Sequence, residues 1–319
     1  MIQAYTKTKT GLKPVPFVAG APLPDDVVWI DLFTPSAEEE KTVGDALGLE
    51  LPSWEERVEI EASSRLRREG ETLYMTATLV SRAETERPEA SPVTFVLSAG
   101  RLVTLRHADP RPFATFAASA EHSPKAAESG EAVLLGLLEA IIDRAADVLE
   151  HASADVDALS RRIFSPQEAS GSLRGIMRRI GRSGDLTSRI QESLVSIDRM
   201  LIFLGQASPV GSREVRSRTK VMTRDIRSLR DHASFLAGKV GFLVDATLGL
   251  INVELNDIIK IFSVMAVVFL PPTLIASIYG MNFRHMPELE WLLGYPLSLG
   301  LMVASAVAPY LYFRRRGWL

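Results

Sequence analysis

The spacing of hydrophobic positions divides the chain into three parts. Within residues 26–105, short stretches such as 73–79 and 93–97 are rich in β-forming residues and alternate in polarity, which predicts strands. Residues 131–164 instead place an apolar side chain at every third or fourth position, as on one face of a helix. After residue 260 there are long runs without any charge. We therefore predict an α+β part, a helical part and a membrane part, in that order.

Turn and cap signals add detail to the first part. Val27–Ile30 predicts a short strand, and Ser36, followed by three glutamates, predicts the N-terminus of a helix. The pair Ala99-Gly100 lies between two predicted strands and favours a hairpin turn. The charged segment 83–92 contains two prolines and is typical of an exposed loop.

Two long helices are predicted next, paired as an antiparallel hairpin. The first covers 131–164 with an apolar seam of about four heptads. The second runs from about 170 to 204, after which Pro209 and Gly211 end it. Acids occupy another face of the first helix, which is either a solvated face or a surface that gathers cations. These acids are Glu139, Asp143 and Asp147.

The third part begins with a possible stalk. Residues 212–270 contain no proline, so they can form one helix of about 88 Å, as a stalk entering a membrane would require. Two uncharged runs of 23 residues, 261–283 and 291–313, lie at the C-terminal end. About 20 apolar residues cross the hydrocarbon core, so both runs are predicted to span it. Two buried core helices are the alternative, but adjacent uncharged runs of this length are rare in soluble folds.

Composition excludes some functions. The 319 residues are 24% charged and 46% hydrophobic, as in ordinary globular proteins, and the absence of cysteine excludes disulfides and thiolate metal sites. The N-terminus is polar, so no signal peptide is predicted. Residues 261–319 carry four arginines and two glutamates, so the net charge of −3 leaves −5 for residues 1–260. That balance disfavours nucleic acid as a partner and suits a domain that handles cations.

The charges beside the membrane runs predict an orientation. Lys260 precedes the first run and Arg314–Arg316 follow the second, whereas the loop 284–290 holds one arginine and two glutamates. The positive-inside rule places both flanks, and with them residues 1–260, in the cytoplasm. The short loop is predicted to lie outside.

One face of the first membrane run is small or polar at most positions. Small residues let helices approach closely in lipid, and polar groups in lipid face a bundle interior or a water-filled path. Two helices cannot enclose a path, so a path requires several copies of the chain; a plain packing face is an equal alternative on periodicity alone. Pro271 and Pro272 free backbone carbonyls, which are useful in a pore and costly towards lipid. The face comprises Asn256, Ile259, Ser263, Ala266, Leu270, Thr273, Ser277 and Gly280.

The end of this run offers oxygen atoms for an ion. Gly280 exposes its carbonyl and Asn282 carries an uncharged amide oxygen. Mg²⁺ gives up its water reluctantly and prefers octahedral oxygen. An uncharged ring that contacts its water ligands therefore binds it weakly enough for release, as conduction requires. These residues predict a cation pore and do not identify the ion.

The residues around this segment resemble the signature of the CorA magnesium transporters. Residues 279–283 read Tyr-Gly-Met-Asn-Phe and residues 286–289 read Met-Pro-Glu-Leu. A Gly-Met-Asn tripeptide between two terminal membrane helices is highly specific. The resemblance covers nearly the whole chain but is sharp only near the membrane. It also includes Phe269–Thr273, the stalk around Asn256, the basic tail, Trp29–Leu32 and Leu73–Thr78.

The resemblance implies a funnel-shaped homopentamer in the inner membrane of a prokaryote, with both termini cytoplasmic. Each chain is expected to combine a cytoplasmic α/β/α layer, a long helical hairpin and a stalk helix that continues into the first of two transmembrane helices. The expected boundaries are 1–125 for the α/β domain, 126–210 for the hairpin, 211–260 for the stalk, 261–283 for the pore-lining helix, 284–290 for the extracytoplasmic loop, 291–313 for the second transmembrane helix and 314–319 for the basic tail.

The resemblance also implies uptake of Mg²⁺, with cobalt and nickel as further candidate ions. Gly280, Met281 and Asn282 match the selectivity mouth. In the family, Mg²⁺ between cytoplasmic domains holds the channel closed; Asp225 is our candidate ligand for it, without an identified partner carboxylate. Mg²⁺ is thus expected as both transported ion and regulatory ligand. Asn256, Leu270 and Thr273 match the conduction path, Leu270, Ile259 and Phe262 are candidates for the hydrophobic constriction, and Arg314, Arg315 and Arg316 match the basic ring.

One departure from the family pattern follows Phe283. An acid is usual there, whereas this chain has Arg284 and then His285. The acid ring at the mouth is therefore weakened, and Glu288 and Glu290 are left to supply negative charge. We interpret His285 as a solvated loop residue rather than a metal ligand.

Two other functions are compatible with the sequence. A zinc transporter of the related branch shares the Gly-Met-Asn motif. A membrane-anchored scaffold without a pore needs no small stripe on its helix, so the stripe disfavours it. Enzymatic catalysis is disfavoured because the sequence shows no nucleophile–base pairing or glycine-rich phosphate loop, and its five histidines are scattered.

Overall fold

The computed structural model describes residues 1–18, 23–59, 61–165, 173–207, 213–282 and 286–318. These residues form two compact units, Met1–Val244 and Asp245–Leu319. The boundary falls before the predicted start of the first membrane span at residue 261.

A seven-stranded mixed sheet forms the centre of the first unit. In chain order its strands are β1 (Ile2–Lys7), β2 (Leu12–Pro16), β3 (Val27–Phe33), β4 (Leu66–Glu69), β5 (Thr72–Ser81), β6 (Glu89–Ser98) and β7 (Arg101–Arg106). Their order across the sheet is β2-β1-β3-β7-β6-β5-β4. The neighbours β3 and β7 are parallel, and the other neighbours are antiparallel.

The described residues also form eight α-helices, of which those packed on the sheet cover both of its faces. They are α1 (Ala37–Leu47), α2 (Trp54–Val58), α3 (Ala62–Arg65), α4 (Arg111–Ala120), α5 (Gly130–Phe164), α6 (Leu173–Ala207), α7 (Arg213–Tyr279) and α8 (Gly294–Arg315), with a 3₁₀ turn at Pro287–Glu290. Val43 of α1 packs in one core with Ile30 and Leu32 of β3. Phe113 and Phe116 of α4 pack on Trp29. Because Trp29 and Ile30 are consecutive in a strand, these helices lie on opposite faces.

The parallel pair β3 and β7 encloses a buried ion pair. Asp31 is 5% exposed and accepts hydrogen bonds from Arg106 Nε at 3.1 Å and Nη2 at 2.9 Å. Thr104 Oγ1 also donates to Asp31, at 2.7 Å. Burial alone would lower the pKa of Arg106, but the hydrogen bonds and charge of Asp31 outweigh it and raise that pKa. Removing one partner of such a pair would leave an unpaired buried charge and cost about 3–5 kcal/mol.

Several local predictions are confirmed. Ser36 caps α1 and forms a capping box with Glu39. Ala99 and Gly100 form the two-residue turn between β6 and β7, with φ of 47° and 74°, the left-handed values that such hairpins require. Helix α5 begins at Gly130, one residue before the predicted seam, because the Ser129 hydroxyl accepts a hydrogen bond from the Ala132 amide.

Other predictions are wrong or incomplete. The strands β1, β2 and β4 and the helices α2 to α4 were not predicted. Pro14 and Pro16 argue against a strand in the sequence, so β2 was missed. The strand forms because it lies at the sheet edge, where a missing amide hydrogen is tolerated. The predicted loop 83–92 is shorter, because β6 begins at Glu89 and Pro92 pairs with Thr78. Pro92 fits because β7 pairs with β6 only from Val93 onwards.

The long helices largely follow the predicted pattern. Helix α6 covers Leu173–Ala207, and its predicted start at 170 and the breakers Pro209 and Gly211 lie outside the described residues. Helix α7 is a single helix of 67 residues that continues through Pro271 and Pro272 to Tyr279. The proposed stalk and first membrane span therefore belong to one helix.

Candidate functional site

Two apolar helices of the second unit are exposed within the single chain. The most apolar window of α7 has a mean hydropathy of 2.2 and is 6% buried, and the corresponding window of α8 has 1.4 and is also 6% buried. Phe262 and Leu270 are 67% and 65% exposed. A core helix of a soluble protein would instead be mostly buried. This exposed apolar surface is typical of membrane spans.

One stripe of α7 is covered within the chain. Val264 is 4% exposed, and residues three or four positions further along the same face are half-buried. This spacing is that of one helix face. The half-buried residues are Val268, Pro271, Pro272, Ile275 and Tyr279.

The predicted small and polar face lies on the other side of α7. At about 100° per residue, the middle of this face is roughly 160° around the helix from the covered stripe. Its members are free to contact other chains or water, because none is covered within its own chain. The exposed residues are Asn256, Ile259, Phe262, Ser263, Ala266, Leu270, Thr273, Ser277 and Gly280.

The two prolines free one carbonyl on the covered side of α7 and one between that side and the predicted pore face. Pro271 and Pro272 have no amide hydrogen to donate to the carbonyls of Val267 and Val268, four residues earlier. Val268 and both prolines are half-buried on the covered side. The Val268 carbonyl therefore lies nearer the covered stripe than the predicted pore face. Val267 is 44% exposed and lies about midway between the two faces, so its carbonyl favours neither. The Thr273 hydroxyl donates a hydrogen bond to the Phe269 carbonyl of the same helix, at 2.7 Å.

The Gly-Met-Asn segment lies directly after the end of α7. The Gly280 amide donates to the Ala276 carbonyl at 2.9 Å, and Met281 donates to Ile278 at 3.3 Å. A Cβ at Gly280 would lie 3.0 Å from the Ala276 oxygen, tighter than ordinary contact. Met281 and Asn282 are exposed. Glycine therefore fits this close approach to the preceding turn, and the Asn282 side chain two residues later is accessible.

Part of the predicted mouth cannot be placed. Phe283, Arg284 and His285 lie outside the described residues, as does the side chain of Glu288. Glu290 is exposed at the end of the 3₁₀ turn. Trp291 and Tyr295 are 62% and 76% exposed beside it, as expected for aromatic residues at a membrane interface.

The basic residues lie at the other end of α8. Arg314 and Arg315 occupy its last turn and Arg316 is its C-cap. Gly317, with φ of 71°, ends the helix, and the Trp318 ring stacks on Phe313 at 5.3 Å. All three arginines are exposed, so their charges remain available to other chains or to lipid headgroups.

The candidate regulatory residue Asp225 lies near an acidic face of α5. Asp143 has a raised pKa, caused first by burial and then by the charges of Glu139, Asp147 and Asp225. Asp225 itself is exposed, with Arg224 Nε at 4.0 Å. The α5 acids line a cavity of about 740 Å³ between α4, α5 and the start of α7. This proximity of Asp225 to Asp143 was not predicted from the sequence.

Not all of these acids are available to a cation. Glu139 accepts two hydrogen bonds from Arg218, at 2.8 and 2.7 Å. Across the described part of the chain, no three histidine, aspartate or glutamate side chains converge on one point. A cation at Asp143 and Asp225 would therefore take its remaining ligands from water or from another molecule.

Comparison with known proteins gives concordant matches. The family model for "CorA-like Mg2+ transporter protein" matches residues 24–315. The magnesium transport protein CorA of Haemophilus influenzae is 36% identical over 292 residues, which is 92% of each chain. The complete structure of the CorA magnesium transporter from Methanocaldococcus jannaschii superposes with a TM-score of 0.77 at 19% identity, covering 100% of this chain and 99% of that one. The ZntB cytoplasmic domain from Vibrio parahaemolyticus gives a TM-score of 0.57 at 10% identity, covering 78% and 97%.

Proposed function

Because this chain belongs to the family of CorA-like Mg2+ transporter proteins, we propose that copies of it assemble around an axis and conduct Mg²⁺ across the membrane. The assembly proposed is a homopentamer, as the family resemblance implies. Members of this family are ion transporters, and the transported ion is the substrate. Cobalt and nickel are proposed as further ions.

The observation that carries this proposal is the position of the exposed stripe on α7. It lies opposite the face covered by the chain itself and leads to the Gly-Met-Asn segment at the helix end. Polar side chains such as Ser263, Thr273 and Ser277 are costly towards lipid and are stabilised around a water-filled path. We infer that this stripe faces the axis of the assembly and forms its conduction path.

Selection is proposed to occur at the helix end. Gly280, Met281 and Asn282 of each copy would form a ring of carbonyl and amide oxygens. Uncharged oxygens contact the water shell of Mg²⁺ rather than replacing it, so the ion is recognised and still released. Glu290, and Glu288 in the same segment, would add negative charge outside this ring, partly offset by Arg284.

The inner membrane is the proposed location, with both termini in the cytoplasm. Arg314–Arg316 and Lys260 would mark the cytoplasmic side by the positive-inside rule. Apolar rings of Leu270, Ile259 and Phe262 would constrict the path and gate it by dewetting. Mg²⁺ held near Asp225 and Asp143 is proposed to favour the closed state.

Ion flux through purified protein in liposomes tests this function. Mg²⁺, Co²⁺, Ni²⁺ and Zn²⁺ are presented one at a time, and entry is followed with an indicator inside the vesicles. The proposal predicts saturable Mg²⁺ entry that empty vesicles lack. Preferred entry of Zn²⁺ would assign the chain to zinc transport, and entry of no ion would favour the scaffold function.

A further inference from the structure

The start of α7 carries a row of cations on one side. At spacings of four, four and three residues, these cations lie within about 80° of one another around the helix. All are exposed, and of the four only Arg224 has a carboxylate in reach within the described part of the chain, that of Asp225 at 4.0 Å. We call the four residues the basic stripe: Arg216, Lys220, Arg224 and Arg227.

The basic stripe borders a groove that also contains exposed apolar side chains. The groove lies between the end of α6 and the start of α7 and has a volume of about 640 Å³. Ile202 and Val221 line it and are 43% and 50% exposed. Exposed apolar side chains beside arginines are typical of a surface that another protein covers.

The α5 acids of the same chain lie on the other side of α7. Arg218 donates two hydrogen bonds to Glu139 of α5, and Asp225 lies near Asp143 of α5. At about 100° per residue, the middle of the basic stripe is roughly 155° around α7 from Arg218 and Asp225. The basic stripe therefore faces away from the α5 acids of its own chain and does not neutralise them.

The acidic face of α5 has unpaired charges of its own. Asp147 and Glu150 are exposed and have no ion-pair partner within the described residues. Burial and then three neighbouring acids raise the pKa of Asp143, so negative charge prevails on this face. The cations nearby are each paired with another carboxylate. These pairs are Arg111 and Arg144 with Glu84, Lys125 with Glu214, and Arg218 with Glu139.

We propose that the basic stripe of one copy docks on Asp147 and Glu150 of a neighbouring copy. Two different patches on different sides of α7 make a head-to-tail contact, and such contacts close into a ring when the rotation between copies allows it. Arg224 and Arg227 have the same three-residue spacing as Asp147 and Glu150, so two adjacent helices can form both ion pairs. This inference rests on the proposed assembly and assigns surfaces that join its copies.

A second copy fits the basic stripe better than nucleic acid does. Residues 1–260 carry a net charge of −5, which repels a polyanion at long range, whereas a contact between copies needs only a local match of charges. The contact leaves Asp143 and Asp225 to the proposed Mg²⁺ site. It should weaken as salt is added, because exposed ion pairs are screened.

Cysteine crosslinking of the full chain in detergent tests this contact, because the native chain has no cysteine. A chain with both Asp147→Cys and Arg224→Cys is treated with a short bismaleimide at a fixed Mg²⁺ concentration. A head-to-tail contact joins each copy to the next, so a ladder of linked copies is expected on a denaturing gel. Either substitution alone should give no linked copies, because the two patches differ.

A second cysteine pair provides the matched control. Arg178 is also an exposed cation, but it lies about 36 Å along α6 from Ile202 and outside the groove. Arg178→Cys combined with Asp147→Cys should therefore give no ladder. Linked copies from Arg224→Cys alone would indicate a symmetric contact and contradict the head-to-tail arrangement.

Charge reversals show whether the contact is electrostatic. In the chain with both cysteines, Lys220→Glu together with Arg227→Glu should slow crosslinking about tenfold, because like charges then face each other. Adding Glu150→Lys should restore part of the rate, which a merely structural effect of the reversals would not do. Arg178→Glu should leave the rate unchanged.

Light scattering separates this inference from the proposed function. If the chain without substitutions is monomeric in detergent, the proposed assembly is wrong, and this inference is wrong with it. If the chain is oligomeric, three results overturn this inference alone: no ladder from the double-cysteine chain, an equal ladder from the control pair, or a crosslinking rate that the reversals leave unchanged. The copies would then join through other surfaces.

Discussion

Asn282 carries an uncharged amide oxygen just beyond the end of α7, where it is exposed in the single chain. In the proposed assembly each copy contributes one such oxygen to the water shell of the ion. Asn282→Ala removes all of them at once, so Mg²⁺ flux in liposomes should fall by about tenfold or more, since hydrogen bonds to charged species contribute about 1.5–3 kcal/mol each. Assembly should be unchanged, because the side chain supports no described packing.

A tryptophan nearby provides the control for Asn282. Trp291 is 62% exposed beyond the same loop and offers no oxygen, so Trp291→Phe should retain flux at equal membrane abundance. Wild-type flux through Asn282→Ala would contradict the assignment of the mouth. Equal losses in both variants would indicate a general defect of the loop rather than a lost ligand.

Asp143 provides a pH prediction at the residue scale. Its pKa is raised by burial first and then by Glu139, Asp147 and Asp225. An acid whose pKa is raised in the fold contributes stability below its unfolded pKa, near 3.9, and loses it as the pH rises through the raised value. At pH 7 the ionised form therefore opposes folding. Because Asp143 is exposed and water screens the repulsion, Asp143→Asn should raise Tm by only about 1 °C at pH 7 and give no gain near pH 3.5.

The control for Asp143 is an acid on a different helix. Glu192 of α6 is exposed, and Glu192→Gln should leave Tm unchanged at both pH values. Thermal unfolding without divalent cations is the measurement, since a bound cation would offset the repulsion. A lower Tm of Asp143→Asn at pH 7 would show that the ionised carboxylate is stabilised in the fold, contrary to the prediction.

At the scale of elements, the sequence predicted what local chemistry determines. The Ser36–Glu39 capping box, the Ala99-Gly100 turn and the apolar seam of α5 depend on residues close together in the chain, and each is found in the structure. Strands β1 and β2 were missed because their prolines and threonines carry no strong alternation, and their pairing with β3 supplies the stability. Tertiary pairing overrides weak local signals in this way.

The candidate sites were likewise predictable only where they depend on residues close together in the chain. The exposed stripe of α7 was predictable because it depends only on helix periodicity, and the backbone follows that periodicity through Pro271 and Pro272. The proximity of Asp143 and Asp225 was not predictable, since it depends on how α5 and α7 align along their lengths. No local pattern encodes that alignment.

The register of α7 gives a prediction at this scale. Thr273 lies on the exposed stripe, and Leu274 is turned by about 100° from it. Thr273→Leu should fill a polar level of the path with apolar side chains and reduce Mg²⁺ flux severalfold. Leu274→Ala should reduce it much less. Liposome flux at equal protein abundance measures both variants, and equal effects would show that the proposed register of the pore face is wrong.

At the scale of the whole molecule, the apolar parts of α7 and α8 are left almost entirely exposed in the single chain. On α7 only one stripe is covered, and on α8 only Ser298 among the described positions is fully buried. Lipid can cover apolar side chains, but it offers no hydrogen-bond partner to the hydroxyls of Ser263 and Ser277. An assembly of several chains resolves both requirements, with apolar faces towards lipid and the polar stripe towards a common axis.

Control by Mg²⁺ follows if such an assembly brings acidic faces together. The part of the chain before the first span has a net charge of −5, so neighbouring copies repel one another. A cation near Asp225 and Asp143 would offset this repulsion and favour a compact, closed state, so that uptake limits itself. The alternative is that Asp225 only pairs with an arginine of the same helix, such as Arg224, Arg227 or Arg230. The Arg224 Nε lies 4.0 Å away, and Arg230 is already paired with Asp198 at 3.0 Å.

Limited proteolysis distinguishes these two roles of Asp225. If a cation holds the assembly closed, added Mg²⁺ should protect α5 to α7 from cleavage, and Asp225→Ala should need severalfold more Mg²⁺ for equal protection. Asp231→Ala is the matched control, because Asp231 is an exposed acid on the same helix and should leave the Mg²⁺ requirement unchanged. If cleavage of the unmodified chain does not depend on Mg²⁺, the regulatory proposal is wrong. If Asp225→Ala leaves the protection by Mg²⁺ unchanged, control by Mg²⁺ is retained but Asp225 is not a ligand. The acids of α5 would then be the next candidates to test.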